Sequence, residues 1–279
     1  MNRRTILKTL LALPVAAVAG GIYTTQIEPY WVEHVRLPMP IKNLPANLVG
    51  RTLVQISDIH VGNRFDWTYL IRAFNDAAEI EPDFVVYTGD FISYESAEQF
   101  DPLVQVLDHA PLGKLGSAAV LGNHDYGRGW NQPKVADQIS AIIANAGITV
   151  LRNEIASIAG LNVAGIDDLW GPNFLPISVL SQVDAASANV LLCHNPDVVD
   201  LPVWHGYDGW ILAGHTHGGQ VKPPFLPPPI LPVQNQRYSA GRFDLADGRT
   251  LYINRALGCM VPLRFNARPE ITIFTLMAA

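Results

Sequence analysis

The sequence predicts an α/β protein in which short strands alternate with helices over most of the chain. Five apolar runs rich in β-branched residues each end in polar residues, as buried strands end in turns. Between several of these runs the apolar residues recur at helical spacing, as Val135, Ile139 and Ile143 do within residues 132–147. Because this alternation favours parallel pairing, the polar residues that follow the strands should gather at one rim of the sheet.

Length and composition set the class of protein before any motif is considered. The chain has 279 residues, of which 49% are hydrophobic and 16% charged, so it can bury a full core and is not a disordered polymer. The formal net charge is −6. General binding to nucleic acids is therefore not expected, because it requires a basic face that neutralises phosphates.

The N-terminal residues have the composition of an export signal. Arg3 and Arg4 precede an uncharged run from Thr9 to Ile27, and residues 17–19 offer a small-x-small cleavage site. The pattern resembles a twin-arginine signal, which implies the twin-arginine export machinery as a partner and a periplasmic or cell-envelope location. The run also approaches the ~20 residues that span a bilayer, so an uncleaved membrane anchor is the alternative.

These features divide the chain into three parts. Residues 1–28 are predicted to be the signal or anchor, and the first thirty residues are expected to lie outside the fold. Residues 29–47 are predicted to be a lead-in segment containing Trp and Pro, and residues 48–279 to be one domain.

The polar residues at the five strand ends are of the types that bind transition metals. Carboxylates, neutral imidazoles and an amide oxygen are the ligands in question. They are Asp58, His60, Asp90, Asn123, His194, His215 and His217. Seven ligands exceed what one ion needs and suit two ions about 3.5–4 Å apart that share a carboxylate. If the segments are extended, residues i and i+2 point the same way, so Asp58 pairs with His60 and His215 with His217.

Read in order, the motifs DIH, TGD, GNHD, CHN and GHTHGGQ resemble those of the calcineurin-like metallophosphoesterase family. The resemblance implies a four-layer αββα β-sandwich flanked by helices. It assigns one metal to Asp58, His60, Asp90 and His217, and the other to Asp90, Asn123, His194 and His215. It also implies that Asp90 bridges the two metals, that His124 is the catalytic imidazole and that Asp125 orients the His124 ring.

The function expected from these residues is phosphoesterase chemistry that depends on two divalent ions, of Mn, Fe or Zn. A metal-activated water would hydrolyse phosphodiester or diphosphate bonds, and His124 would protonate the leaving group. Two alternatives within the class are a phosphomonoesterase such as a protein phosphatase, and a diphosphatase acting on a lipid-linked substrate of the UDP-diacylglucosamine type. A non-catalytic metal-binding scaffold on the same fold is the alternative outside the class.

Several other residues allow more than one interpretation. Arg64, Arg128 and Arg255 follow motif segments and could bind a substrate phosphate, although a surface role is favoured for each. The Asp167-Asp168 pair follows another apolar run and could approach the site, although a solvated turn or a helix cap is favoured. The proline-dense stretch from Pro223 to Pro232 is expected to be a stiff loop that walls the substrate cleft, rests on a membrane or does neither.

The remaining histidines and the two cysteines are expected to be structurally ordinary. His34, His109 and His205 lie outside the motifs and are predicted to be surface residues. Cys193 and Cys259 are too few for a disulfide framework, and burial of two free thiols is favoured over their pairing.

Overall fold

Two six-stranded sheets make up the body of the computed structural model, which describes residues 17–62 and 65–279. In chain order the strands are β1 Glu33–Ile41, β2 Thr52–Ile56, β3 Phe84–Thr88, β4 Gly116–Val120, β5 Thr149–Val150, β6 Glu154–Ile158, β7 Leu161–Gly165, β8 Ala188–Leu192, β9 Trp210–Ala213, β10 Gly241–Asp244, β11 Thr250–Ile253 and β12 Glu270–Ala278. The longer helices are α1 Trp67–Ala78, α2 Phe100–Leu107, α3 Pro133–Asn145 and α4 Pro176–Leu180.

The order of the strands puts several parallel strands next to one another in each sheet. The first sheet has the order β1-β12-β2-β3-β4-β5, and β2 to β5 are parallel. The second has the order β10-β11-β9-β8-β7-β6, and β7, β8 and β9 are parallel. All five strands predicted from apolar runs are present as β2, β3, β4, β8 and β9. The predicted parallel pairing is confirmed.

Apolar side chains fill the space between the sheets and cover their outer faces. Phe84, Leu212 and Phe274 belong to the core between the sheets and are buried. On the outer face of the first sheet, α1, α2 and α3 contribute side chains such as Phe74 and Ile139 to a second core. A third cluster, which includes residues of α4, covers the outer face of the second sheet. The layers are therefore αββα, as the family resemblance implies, and truncating Phe274 to Ala should cost about 3–5 kcal/mol.

The predicted boundary at residue 48 is wrong, because the lead-in segment contributes a strand. β1 pairs in parallel with β12 along its whole length and forms an edge of the first sheet. Pro38 and Pro40 made this segment read as irregular, yet an edge strand tolerates prolines since one side of its backbone has no partner strand.

The expectation that the first thirty residues lie outside the fold is also wrong for those that are described. Glu28 is buried, and its carboxylate accepts a hydrogen bond of 2.7 Å from the backbone N–H of Ala267. Residues 1–16, which include Arg3 and Arg4, lie outside the described residues. Within the part of the chain that is described, none of the helices combines the length and the apolar character needed to cross a bilayer.

Smaller predictions about the body can be settled as well. His34, His109 and His205 are exposed, as expected of surface histidines. Cys193 and Cys259 are both buried and free, as expected.

Candidate metal centre

The loops that follow β2, β3 and β4 in one sheet meet the loops that follow β8 and β9 in the other. This rim collects ligating atoms into two groups, and within each group the atoms lie within 4.8 Å of one another. The first group is Asp58, His60 and His217, and the second is Asp90, His194 and His215. Each group contains three of the four residues that the motif resemblance assigned to one metal; Asp90 of the first set and Asn123 of the second are not members of the respective group.

Asp90 lies between the two groups. Its Oδ2 atom is 3.5 Å from Nε2 of His60 in the first group and 3.2 Å from Nε2 of His194 in the second. The Oδ1 atom accepts a hydrogen bond of 2.9 Å from the backbone N–H of His124. A carboxylate in this position can contact ions in both groups, as the predicted bridge requires.

The reason why the ligands converge differs from the prediction. Asp58, His60, His215 and His217 have φ angles of 51°, 49°, 71° and 53°, and that of Asp90 is 55°. These are left-handed values, so the segments are not extended and the i, i+2 argument is wrong. Each such residue costs on the order of 1–3 kcal/mol, which only a surrounding structure that fixes the backbone can sustain.

The second group contains two nitrogen lone pairs that face each other. Nδ1 of His194 lies 2.8 Å from the carbonyl oxygen of Thr88, and Nε2 of His215 lies 2.8 Å from that of Pro232. A carbonyl only accepts, so each of these nitrogens carries the hydrogen. In the neutral rings the opposite nitrogens, His194 Nε2 and His215 Nδ1, are therefore both unprotonated, and they are 3.0 Å apart. Such a pair calls for a cation between the rings.

Hydrogen-bond partners are also lacking in the first group, where the buried Nδ1 of His217 has none among the described residues, and at Asn123. Nε2 of His60 and Nε2 of His217 are 3.0 Å apart, and Nδ1 of His60 lies 3.0 Å from the Ser93 hydroxyl. Among the described residues, the buried Oδ1 of Asn123 has no hydrogen-bond partner, although buried acceptors nearly always have one. Amide oxygen, imidazole and carboxylate suit a divalent first-row ion. The residues present thus fit two such ions.

Burial and local charge shift the pKa values of the ligand side chains in different directions. Burial raises the pKa of Asp58, but the His194 and His217 imidazoles outweigh it and bring the pKa to about 2. Burial lowers the pKa of His60 and of His215 to about 3, which leaves both rings neutral. The pKa of His194 is raised despite its burial, because the Asp90 and Asp58 carboxylates favour positive charge there.

Two glycines allow the loops to approach this closely. A Cβ on Gly122 would lie 2.2 Å from Oδ1 of Asp90, and one on Gly214 would lie 2.2 Å from Oδ2 of Asp58. Real Cβ atoms do not approach other atoms so closely, so any side chain here would displace a ligand. Gly122 of the GNHD motif and Gly214 of the GHTH motif therefore allow the ligand residues to pack closely.

His124 lies beside the two groups and belongs to neither of them. Its ring is 5.2 Å from that of His60 between centroids, and it is partly exposed. The predicted orienting contact from Asp125 is not found among the hydrogen bonds of the described residues. Instead, the buried Asp125 carboxylate accepts from the backbone N–H groups of Gly122, Phe91 and Ile92 at 2.9 to 3.3 Å. Asp125 thus joins the loop after β4 to the loop after β3.

The metal groups lie at the base of a cleft of about 400 Å³ with largely apolar walls. Trp130 and Trp170 stack at 5.1 Å between ring centroids, and both line the cleft. Trp170 also contacts the His215 ring edge-on at 4.5 Å. Ile230 and Met260 also line the cleft. Both tryptophans lie outside the sequence motifs and meet only in the folded chain, so neither was predicted as part of the site.

The acidic pair after β7 is buried, so the prediction of a solvated turn is wrong. Asp167 accepts hydrogen bonds from Arg152 at 3.3 Å and Asn173 at 2.8 Å. Asp168 caps a turn by accepting from the backbone N–H of Trp170 at 2.7 Å. Burial raises the pKa of Asp168 to about 7.

The three arginines considered for substrate binding have different environments. Arg255 is bound to Glu33 and Glu270 across β12 and β1, so its role is structural and the substrate-binding interpretation is wrong. Arg128 is exposed on the loop that precedes Trp130. The third arginine, at position 64, lies outside the described residues.

Sequence comparison agrees with this geometry. The profile of the calcineurin-like phosphoesterase family matches residues 51–219. The chain is 34% identical to the metallophosphoesterase YkuE of Bacillus subtilis, covering 99% of this chain and 98% of YkuE. It is 30% identical to the phosphodiesterase YaeI of Escherichia coli, covering 99% and 100%. It is 26% identical to the UDP-2,3-diacylglucosamine pyrophosphatase LpxG of Chlamydia trachomatis, covering 96% and 95%.

A solved structure supports the fold as well. A dimetal phosphatase from Danio rerio superposes with a TM-score of 0.52 at 12% identity, over 81% of this chain and 99% of the other. At that identity the likeness bears on the fold, which is the two-sheet arrangement described above.

Proposed function

Because the chain belongs to the calcineurin-like phosphoesterase family and is a metal-dependent phosphohydrolase, we propose that its substrates are phosphodiesters or diphosphates. The observation that carries the proposal is a binuclear ligand set at the base of an apolar cleft. A diester carries a second, uncharged ester group, and apolar walls such as Trp130 and Ile230 favour that group over the second negative charge of a monoester. In a diphosphate with an ester group at each end, each phosphorus likewise carries one negative charge and not two.

Two divalent ions would be held by Asp58, His60, Asp90 and His217 on one side, and by Asp90, Asn123, His194 and His215 on the other. When bound, such ions supply a nucleophilic hydroxide at neutral pH and offset the charge on the phosphate oxygens. Thr88 and Pro232 set the tautomers of His194 and His215 through their carbonyl groups, so those rings present unprotonated nitrogens.

His124 is proposed to protonate the leaving oxygen. It lines the cleft, is partly exposed to it, and is free of either metal group. Its backbone N–H donates to Asp90, which ties the position of the proposed acid to the proposed bridge. Asp125 acts through the backbone by fixing the loop that carries His124, and so is a positioning residue.

The experiment is a comparison of two substrates that share a leaving group. Protein reconstituted with Mn²⁺, Fe²⁺ or Zn²⁺ is assayed on bis(p-nitrophenyl) phosphate and on p-nitrophenyl phosphate. We expect kcat/KM for the diester to exceed that for the monoester by at least about tenfold, equivalent to about 1.4 kcal/mol. A preference for the monoester would overturn the diesterase proposal and favour a phosphomonoesterase.

A lipid-linked diphosphate is the second candidate, and the apolar cleft walls favour it. The relative LpxG is named for a substrate of that kind, UDP-2,3-diacylglucosamine. An assay with a UDP-linked diacyl sugar separates this candidate from water-soluble diesters, since the apolar walls should then lower KM for the acylated substrate relative to its deacylated form.

We also propose export by the twin-arginine route to the periplasm or cell envelope, with the N-terminus in contact with the membrane. The support is the Arg3-Arg4 pair followed by the uncharged run from Thr9 to Ile27. Replacing both arginines with lysine, which keeps the charge, should retain the protein in the cytoplasm. Unchanged fractionation of that variant would refute the proposed route.

A further inference from the structure

Exposed apolar side chains cluster beside the mouth of the cleft. We call this cluster the apolar rim and define it by Phe225, Leu226 and Ile230 of one segment together with Met260 and Val261 of another. Phe225 is fully exposed, and Ile230 and Leu226 are 78% and 60% exposed. Ile230 and Met260 also line the cleft, so the rim and the cleft are continuous.

Hydrogen bonds join the segments of the rim to each other and to the N-terminal helical residues. The side-chain amide of Gln220 donates to the carbonyl of Val261 at 3.1 Å and to that of Leu263 at 2.8 Å. The backbone N–H of Arg264 donates to the carbonyl of Thr24 at 2.9 Å. Thr24, near the end of the uncharged run, therefore lies on the same face of the protein as the apolar rim.

The backbone of the first segment holds its apolar side chains away from the body. Residues 221–232 read VKPPFLPPPILP, and the prolines restrict φ, so the segment is stiff. Phe225 has a φ of 65°, a left-handed value that is unfavourable for a residue with a large side chain. A stiff loop with a strained, outward-facing phenylalanine keeps apolar surface in water, and exposed apolar patches of this kind mark interaction sites.

Charge and polarity indicate what covers the rim. Over residues 17–27, 221–232 and 258–263 the only charged residue is Lys222. Apolar side chains can enter a bilayer without forming specific hydrogen bonds. The basic residue beside them, Lys222, is attracted to anionic lipid head groups. Of the uncharged N-terminal run, the described residues 17–27 reach this same face through Thr24 and suit the same surroundings.

We propose that the apolar rim inserts into the interfacial region of a lipid bilayer and so places the mouth of the cleft at the membrane surface. This inference deepens the proposed function, because it makes a phosphoryl group at the level of the lipid head groups the accessible substrate. The insertion itself does not require catalysis, and it is tested without it.

The first test reports insertion of the loop separately from any contact made by the N-terminus. Leu226→Cys in the full chain is labelled with an environment-sensitive fluorophore, which is selective because Cys193 and Cys259 are buried. The matched control is Leu112→Cys, an exposed apolar position between α2 and β4 at the opposite ends of the strands. The probe is vesicles of phosphatidylcholine and phosphatidylglycerol, with and without nitroxide-labelled lipid.

We expect a several-fold rise in fluorescence with a blue shift at position 226, quenching by the nitroxide lipid, and no change at position 112. An unchanged signal at 226 overturns the proposal, whether the chain binds the vesicles through its N-terminus or does not bind them. The proposal is equally overturned if light scattering shows that a second copy of the chain covers the rim and keeps it covered when vesicles are added.

The second test links insertion to turnover. Phe225→Ser/Leu226→Ser should hydrolyse soluble bis(p-nitrophenyl) phosphate at the wild-type rate and hydrolyse phosphatidyl-p-nitrophenol in vesicles at least about tenfold more slowly, because each lost side chain weakens apolar partitioning. The inference is contradicted if the variant hydrolyses both substrates more slowly by the same factor, or if it hydrolyses both at the wild-type rate. If the label inserts but neither diester is hydrolysed by wild type, the proposed function fails while the inference stands.

Discussion

Replacing His124 with alanine should separate proton donation from metal binding. The ring of His124 belongs to neither ligand group, and the contact that it makes with Asp90 uses its backbone N–H. Alanine keeps that N–H, so Asp90 stays in place between His60 and His194. The metal content of the variant should therefore equal that of the wild type, and only the chemistry of the imidazole is lost.

The expected loss of activity is that of a general acid alone, because the His124 imidazole belongs to neither ligand group. A positioned general acid contributes about 10²–10⁴-fold, so the activation free energy should rise by roughly 3–5 kcal/mol on a substrate whose leaving group needs a proton. The loss should be much smaller for p-nitrophenolate, which leaves readily without protonation. The assay is kcat for an alkyl and a p-nitrophenyl diester, with metal content measured by mass spectrometry on the same samples.

The matched control for His124→Ala is Trp130→Phe. This control variant changes a side chain in the wall of the cleft and keeps the imidazole of His124. Two results would refute the reasoning. If His124→Ala loses metal, the ring is a ligand and not a free acid. If both diesters slow by the same factor, the ring does not protonate the leaving group.

Three further predictions concern the bridge, a buried acid and a buried cation. Asp90→Asn keeps the acceptor for His124 but removes the charge between the groups, so bound metal should fall from about two ions per chain towards none by elemental analysis; retention of both ions would contradict a bridging role. Burial raises the pKa of Asp168 from 3.8 to about 7, so the folded chain holds a proton that the unfolded chain releases. The free energy of unfolding of chelator-treated protein should therefore fall as pH rises across that window, and Asp168→Asn should flatten the fall in denaturation curves. The buried guanidinium of Arg264 donates to backbone carbonyls at 2.8–2.9 Å, so Arg264→Met should cost at least about 3 kcal/mol in urea unfolding, against less than about 1 kcal/mol for the exposed Lys114→Met; equal costs would show that the buried bonds contribute little.

Much of the fold could be predicted from the sequence, because burial leaves a local trace. β3 is buried along its whole length and reads as an unbroken apolar run, while α3 shows one apolar face at helical spacing. Such patterns do not report which edge a strand occupies. β1 was therefore missed: its prolines are compatible with a strand only at the edge of a sheet, and the edge is defined by its partner β12.

The sequence alone determined which residue types stand at the strand ends, and in which order, since the ligand motifs are contiguous along the chain. Only the tertiary structure decided how they act together. The lone pairs of His194 and His215 face each other because the opposite nitrogens donate to the carbonyl groups of Thr88 and Pro232, which lie 106 and 17 residues away in the chain. The hydrogen-bond partners and left-handed backbone angles of the metal ligands depend on how the two sheets pack against each other. The periodicity of a single segment does not predict that packing.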